Sequence, residues 1–162
     1  KRLNWRFRFR SWIAQEGLLD GPLAPYRDQV VAYARRDPGV IDEAILMWNA
    51  LHHVIDGYRA ARADWRFVRH EDMARSPVTG FRSLYEDLGL RWSEDVSARI
   101  ARHSHQSNPK EVGARRHGSV RRDSAAAATS WTTRLPPEEI ERVLQGTAEV
   151  ATRFYSEDEL AP

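Results

Sequence analysis

Residues 65–77, which read W-R-F-V-R-H-E-D-M-A-R-S-P, decide the predicted fold of this chain. The first four residues are aromatic or β-branched apart from one arginine, a composition typical of a short buried strand. Charged residues follow at once, and Ser76-Pro77 then marks a helix start, because serine caps helices and proline suits the first helical position. The stretch predicts a strand over residues 65–68, a charged exit and a new helix.

The charged exit has two interpretations. In open α/β sheets ligands bind beyond the carboxyl ends of the strands, so Arg69, Glu71 and Asp72 stand where chemistry is expected. Alternatively, these three residues only pair with each other and cap the next helix. The sequence by itself leaves both interpretations open.

Length and composition indicate one folded domain without disulfides. The chain has 162 residues, of which 41% are hydrophobic, and no cysteine, which excludes disulfides, thiolate nucleophiles and cysteine-ligated zinc. No apolar run is long enough to span a membrane and no secretory signal pattern is present, so we expect a cytoplasmic protein without a membrane partner. The opening K-R-L-N-W reads like the middle of an element, and we expect this chain to be a piece of a longer protein.

The basic residues are clustered although the net charge is only +2. One cluster lies within residues 1–10, and the second comprises Lys110, Arg115, Arg116, Arg121 and Arg122. Two such clusters on a nearly neutral chain predict local anion sites rather than a nucleic-acid surface.

Apolar residues at spacings of three and four predict a helix-rich chain. The expected helices cover residues 1–17, 26–36, 40–62, 77–88, 93–103 and 137–155. His52 and His53 lie within the longest helix and are interpreted as packed residues, so no metal site is predicted. Residues 104–134 lose this periodicity and are predicted to form an irregular basic loop. Since a lone strand has nothing to pair with, the rest of a sheet is expected elsewhere in the longer protein.

Three segments together resemble the sulfotransferase family, and its bacterial members in particular. They are the long helix with Trp48, the stretch at 65–77, and the following F-R-S-L-Y-E-D-L-G-L. The later V-R-R-D-S, Trp131 and L-P-P-E-E-I are similar to the C-terminal segment of those enzymes, whereas His70 and Met73 replace the family's tyrosine and leucine. The resemblance covers about residues 40–155.

The resemblance implies an α/β, P-loop NTPase-like fold for the parent protein. Residues 1–162 would be the helix-rich C-terminal part of a single sulfotransferase domain, with one strand at 65–68. The Gly-rich loop that binds the phosphosulfate group in the family does not occur in this sequence. We therefore expect this piece to be inactive by itself.

The resemblance also implies the co-substrate 3′-phosphoadenosine 5′-phosphosulfate (PAPS), without a metal. Arg121, Arg122 and Ser124 would bind its 3′-phosphate, with Arg115 and Arg116 as second choices, because guanidinium groups suit phosphate oxygens. Glu71 and Asp72 would be structural. The acceptor would be the hydroxyl or amine of a small molecule or glycan.

The catalytic base is not assigned, because in the family it is usually a histidine or glutamate from another segment. His103, His105 and His117 are available in this chain. One alternative function is a non-enzymatic helical interaction module whose basic loop binds an acidic partner or nucleic acid, which predicts steeply salt-dependent binding. Another is a degenerate relative that keeps the scaffold without transfer activity. The oligomeric state is not predicted.

Overall fold

The computed structural model describes residues 6–36, 38–110 and 121–160. The regular elements in these residues are helices: α1 (Arg10–Ile13), a 3₁₀ turn (Ala24–Tyr26), α2 (Arg27–Arg35), α3 (Val40–Ala61), α4 (His70–Arg75), α5 (Pro77–Asp87), α6 (Glu94–Ser104), α7 (Ser124–Ala128), α8 (Trp131–Arg134), α9 (Pro137–Ala151) and α10 (Glu157–Leu160). They form two compact units. The discontinuous unit comprises the described residues of Lys1–Trp65 and Pro136–Pro162, and the central unit those of Arg66–Leu135.

Helices α2, α3, α5, α6 and α9 confirm the corresponding predictions, and their ends follow the expected signals. Helix α6 begins after Ser93, whose Oγ accepts a hydrogen bond from the backbone N–H of Val96 at 3.3 Å. Helix α9 begins at Pro137, the first helical position that proline favours. Ser76 precedes α5 as predicted, but its side chain makes no capping hydrogen bond.

Helix α5 ends at a glycine because its last turn requires a left-handed residue. Gly89 has φ +64° and donates its N–H to the carbonyl of Glu86 at 3.1 Å. The N–H of Leu90 reaches back to the carbonyl of Tyr85 at 2.8 Å. These two bonds satisfy carbonyls that the helix leaves free, and L-residues pay a steric cost in that conformation.

The hydrophobic core of the discontinuous unit joins the N-terminal segment to α2 and α3. Its buried members are Phe9, Leu19, Leu23, Val30, Leu46 and Ala50. The ring of Phe9 packs edge-on against neighbouring aromatic rings, such as Trp12 at 5.4 Å and Tyr33 at 5.8 Å between centroids. Each fully buried side chain of this kind stabilises a fold by about 1.5–3 kcal/mol, so this cluster holds the unit together.

An ion pair between an exposed arginine and a buried carboxylate fixes the start of the described chain to α3. Glu43 is buried and accepts hydrogen bonds from Arg6 Nε at 3.0 Å and Nη2 at 2.9 Å. It also accepts one from the backbone N–H of Phe7 at 3.2 Å. This carboxylate therefore holds residues 6 and 7 in a non-helical conformation.

Helices α3 and α9 lie against each other and are tied by polar contacts along their length. Asn49 Nδ2 donates to the carbonyl of Gly146 at 2.8 Å, and Arg142 binds Asp42 through two hydrogen bonds of 2.8 Å. A Cβ atom at Gly146 would lie 2.9 Å from two side-chain carbons of Ile45, so glycine permits the close approach. These contacts join two distant parts of the chain into one unit.

The predicted buried strand over residues 65–68 is wrong for the described chain. None of the described residues forms a strand, so residues 65–68 have no strand beside them with which to share sheet hydrogen bonds. Trp65, Phe67 and Val68 are exposed, at 42%, 40% and 55% respectively. Trp65 instead packs beside Tyr58 and beneath the guanidinium of Arg62. The α/β fold that the resemblance implies stays a prediction.

Three further differences from the predicted elements have local causes. The helix expected over residues 1–17 is confined, among the described residues, to α1, because Glu43 holds residues 6 and 7 outside it. Helix α4 occupies the predicted charged exit. The segment 104–134 was expected to be irregular but contains α7 and α8, while residues 111–120 lie outside the described chain. Asp123 caps α7 by accepting from the N–H of Ala126 at 3.0 Å, and alanine favours helix.

No helix in the described part of the chain combines the length and the apolar character that crossing a membrane requires.

Candidate functional site

The central unit contains a cavity of about 880 Å³ formed by α4, α5, α6 and the start of α7. One part of its lining is apolar and consists of Met73, Ala74, Pro77, Phe81, Ile100 and Ala127. The close approach of α5 to α4 shapes this part, since a Cβ atom at Gly80 would lie only 2.8 Å from Met73 Sδ. A mostly apolar cavity with a few convergent polar groups is the usual form of a small-molecule site.

The polar part of the lining is basic. It consists of His70, Arg99, His103, Ser104, Arg122 and Ser124, and none of the described lining residues is a carboxylate. Arg99 and His103 are four residues apart on α6, so they lie on the same helix face. The cavity wall thus carries two permanent positive charges, with imidazole and hydroxyl groups beside them. Such an environment favours the binding of an anion.

Arg122 is held in place at the cavity by its backbone and by one guanidinium nitrogen. Its N–H donates to the carbonyl of His103 at 2.9 Å, and Nη2 donates to the carbonyl of Lys110 at 3.3 Å. Its Nε is buried and has no hydrogen-bond partner within the described chain. A buried donor without an acceptor is costly, so Arg122 is a positioned group with binding capacity left for an anionic ligand.

The neighbours of Arg122 orient the same segment. Asp123 is buried, and besides capping α7 it donates its backbone N–H to the carbonyl of Pro109 at 3.2 Å. Asn108 donates from Nδ2 to the carbonyl of Arg102 at 2.9 Å. These bonds fix the chain on both sides of residues 111–120, and they place Ser124 on the cavity wall.

The structure brings together only some of the residues predicted to bind the donor. Arg122 and Ser124 line the cavity, whereas Arg121 is exposed and is not part of the lining. Arg115 and Arg116 lie outside the described residues.

The histidines considered as a base are also divided. His103 lines the cavity, while His105 is exposed and its Nδ1 lies 2.7 Å from Ser107 Oγ. His117 lies outside the described residues.

Sequence reasoning missed His70 and Arg99 as cavity residues. His70 is noted there only as a departure from the family's tyrosine, and Arg99 is not singled out at all. The spacing of Arg99 and His103 on one face of α6 was the available signal. It carried little weight, because exposed helices commonly have charged residues at this spacing.

In the charged exit after residue 68, His70 lines the cavity, whereas Asp72 pairs with arginines of the same segment. Asp72 accepts two hydrogen bonds of 2.8 Å from Arg69 and lies 3.3 Å from Arg75 Nη1. Neither Glu71 nor Asp72 lines the cavity. For Asp72 the observed contacts therefore agree with internal pairing, the second of the two interpretations of the charged exit.

Within the described residues, no group of three or more histidine, aspartate or glutamate side chains is arranged to hold a metal ion.

Comparison with known proteins identifies distant relatives. The chain is 37% identical over 81 residues to carbohydrate sulfotransferase 5 of Mus musculus, covering 49% of this chain and 20% of the relative. It is 34% identical over 105 residues to carbohydrate sulfotransferase 6 of Homo sapiens, covering 60% and 26%. It is 36% identical over 74 residues to carbohydrate sulfotransferase 1 of Danio rerio, covering 46% and 17%.

These relatives confirm the resemblance to sulfotransferases, over about half of the chain. The matched part spans 17–26% of their own lengths. No family model matches the chain, and no solved structure matches it significantly.

Proposed function

Starting from this relationship with carbohydrate sulfotransferases, we propose that the protein transfers a sulfuryl group from PAPS to a hydroxyl or amine of a glycan. The observation that carries the proposal beyond the relationship is the basic lining of the 880 Å³ cavity. Sulfuryl transfer, like phosphoryl transfer, requires positioning of a highly charged donor and neutralisation of its charge. A cavity with Arg99 and Arg122 in its wall and no described carboxylate meets the second requirement.

Arg122 and Ser124 would hold the 3′-phosphate of the donor. Arg122 offers the buried Nε, and Ser124 offers a hydroxyl on the same wall. Arg121, next to Arg122 in the chain, would also bind this phosphate, with Arg115 and Arg116 as second choices. The apolar lining suits an adenine ring, which carries no charge and has large flat faces.

The remainder of the donor site would come from other residues of the longer protein. We place this chain in the C-terminal part of a P-loop-like sulfotransferase domain of the bacterial type, with the phosphosulfate-binding loop upstream. The glycan acceptor is supported by the names of the relatives, all of which are carbohydrate sulfotransferases. These relatives do not favour the alternative of a non-enzymatic interaction module.

Calorimetric titration of adenosine 3′,5′-bisphosphate into the full-length protein tests the donor site. The Arg122→Ala variant is expected to bind about tenfold or more weakly, because a charge-assisted hydrogen bond to phosphate is lost. Arg122→Lys should fall between the two, since lysine retains the charge but not the planar fork.

Arg102→Ala is the matched control, because Arg102 is an exposed arginine of the same unit that does not line the cavity. Its affinity should stay within about twofold of the parent, a difference of less than half a kcal/mol. Absence of nucleotide binding by a well-folded full-length protein contradicts the proposed function. Equal losses in the Arg102 and Arg122 variants contradict the role of the cavity.

A further inference from the structure

A second, smaller recess lies between α5 and α6 and continues from the cavity. It has a volume of about 320 Å³ and is lined by Phe81, Tyr85, Asp95, Val96, Arg99 and Ile100. We call it the α5–α6 groove. Phe81, Arg99 and Ile100 line both spaces, so a ligand in the groove would lie directly beside a ligand in the cavity.

The two charged groups of the groove have no hydrogen-bond or ion-pair partner among the described residues. Asp95 and Arg99 are separated by four residues on α6, a spacing at which opposite charges commonly pair. Neither side chain, however, makes a hydrogen bond or ion pair within the described part of the chain. A carboxylate and a guanidinium therefore face the same recess with their hydrogen-bonding capacity intact.

The aromatic side of the groove is held in a fixed orientation. The ring of Tyr85 meets the ring of Trp92 edge-on, with the centroids 5.3 Å apart. The guanidinium group of Arg82 in turn lies over the Trp92 ring, 5.4 Å from its centre. Tyr85 and Phe81 are four residues apart on α5, so both rings line the same helix face.

This combination matches the chemistry of a neutral sugar ring. One face of a pyranose carries mainly C–H groups and packs on aromatic side chains, while its hydroxyl groups donate to carboxylates and accept from guanidinium groups. An anionic ligand would be repelled by Asp95, and a purely apolar ligand would leave Asp95 and Arg99 unsatisfied.

We propose that the α5–α6 groove is a subsite for one neutral sugar ring of the acceptor glycan, with Tyr85 as the packing surface and Asp95 as the main hydrogen-bond acceptor. The identity of the ligand as an acceptor rests on the proposed function. Because Arg99 and Phe81 line both spaces, this ring would lie beside the nucleotide part of the donor, and the hydroxyl or amine that accepts the sulfuryl group would belong to another part of the same glycan.

Ligand-observed saturation-transfer NMR on the full-length protein tests the subsite, with lactose, cellobiose and chitobiose as probes. At least one of these neutral disaccharides is expected to bind. Asp95→Asn should weaken binding about tenfold, because a neutral amide oxygen accepts a weaker hydrogen bond than a carboxylate does. Tyr85→Leu should weaken it similarly, whereas Tyr85→Phe, which keeps the ring, should retain most of the affinity.

Glu94→Gln is the matched control. Glu94 is the adjacent acid in the first turn of α6, it is exposed, and it does not line the groove. Both substitutions remove one negative charge from the same helix end, so any effect on helix stability is shared. Of these two acid-to-amide substitutions, only Asp95→Asn should reduce disaccharide binding.

Parallel titration with adenosine 3′,5′-bisphosphate separates this inference from the proposed function. Intact nucleotide binding together with selective loss of disaccharide binding in Asp95→Asn supports the subsite. Nucleotide binding without binding of any disaccharide, or with equal disaccharide binding by Asp95→Asn and Glu94→Gln, overturns the subsite and leaves the donor site standing. If Tyr85→Leu loses nucleotide binding and no disaccharide binds to the parent protein, the groove belongs to the nucleotide site. This outcome also overturns the sugar subsite.

Discussion

The two units of this protein differ in what their side chains are used for. The discontinuous unit holds most of the buried apolar side chains of the described chain, including Val30 at 0% and Leu46 at 1% exposure. Among the described residues of the central unit, only Ala74 and Asp123 are buried. The central unit has instead a large basic cavity and an adjoining groove. Buried apolar packing is therefore concentrated in the discontinuous unit, and polar side chains that could bind a ligand are concentrated in the central unit.

This difference indicates how stability and binding are divided. Side chains that line a cavity forgo the contacts that would stabilise the fold, and binding regions are commonly among the less stable parts of a protein. We therefore expect substitutions in the discontinuous unit to change unfolding free energy. Substitutions around the cavity should mainly change ligand affinity.

The largest expected effect comes from Leu46→Ala. Truncation of this fully buried leucine should lower the unfolding free energy by about 3 kcal/mol, through lost burial and the space left behind. Ile100→Ala, in the half-buried cavity wall, should cost only about 1 kcal/mol. Urea unfolding combined with hydrogen exchange, which resolves the two units, measures both. Equal losses would contradict the division between the units.

Arg6→Ala is expected to cost about 2 kcal/mol, because it leaves the buried Glu43 carboxylate with the Phe7 N–H as its main remaining donor. Arg8→Ala is the control, since the exposed Arg8 side chain makes no hydrogen bond or ion pair among the described residues. Thermal unfolding of both variants makes the comparison. A loss in Arg8→Ala as large as that in Arg6→Ala would show that general charge, not the Glu43 pair, is being measured.

Replacement of glycine by alanine should change the unfolding free energy in opposite directions in the two units. Gly89→Ala places a Cβ in a left-handed conformation and should destabilise the end of α5 by about 1 kcal/mol. Gly57→Ala lies within α3 with no atom near the added Cβ, and should stabilise by about 0.5–1 kcal/mol. Hydrogen exchange at the Leu90 amide and overall unfolding give the two values. Stabilisation by both substitutions would exclude the described turn at Gly89.

The smallest effect is a dependence on alkaline pH in the discontinuous unit. Burial raises the pKa of Tyr26, Glu149 raises it further and Arg153 opposes the change. The folded state thus retains the phenol proton above the unfolded pKa of about 10, so this contribution to stability is complete below that pH and is lost as pH rises through the folded pKa. The unfolding free energy of Tyr26→Phe should fall less steeply than that of the parent between about pH 9 and about pH 11.5. Identical pH profiles would show that Tyr26 does not titrate with folding.

The sequence predicted the helices well because their signals are local. The spacing of Ile41, Ile45 and Trp48, the serine before α6 and the proline that opens α9 each act within a few residues. The end of α5 at Gly89 was predictable for the same reason. Local chemistry was sufficient for these elements.

The predicted strand at residues 65–68 does not form in the described chain. Strand formation depends on a neighbouring strand, which the local sequence cannot supply. Trp65, Phe67 and Val68 have the composition of a strand, yet the described chain supplies no second strand. The helix predicted over residues 1–17 does not include residues 6 and 7, for a related reason. The carboxylate of Glu43 in α3 captures the backbone of Phe7, a contact over 36 positions that no local pattern shows.

The candidate site was predictable in part. Arg122 and Ser124, which line the cavity, were predicted because they lie in a segment that resembles the sulfotransferases. Arg99 lies in no such segment, and Tyr85 lies in one but was given no role by the resemblance. They become neighbours only because α5 and α6 pack together. The cavity is a property of tertiary packing, which a single sequence does not contain.

The contacts between α3 and α9 have a consequence for the chain that runs between them. They bind both flanks of Arg66–Leu135 to one body, so this whole stretch is a closed loop as long as the discontinuous unit is intact. A closed loop has fewer conformations available when it loosens than a chain with a free end. Gly146 and the pair Arg142–Asp42 thus act as a non-covalent cross-link, which lowers the entropic cost of ordering the described residues of the central unit.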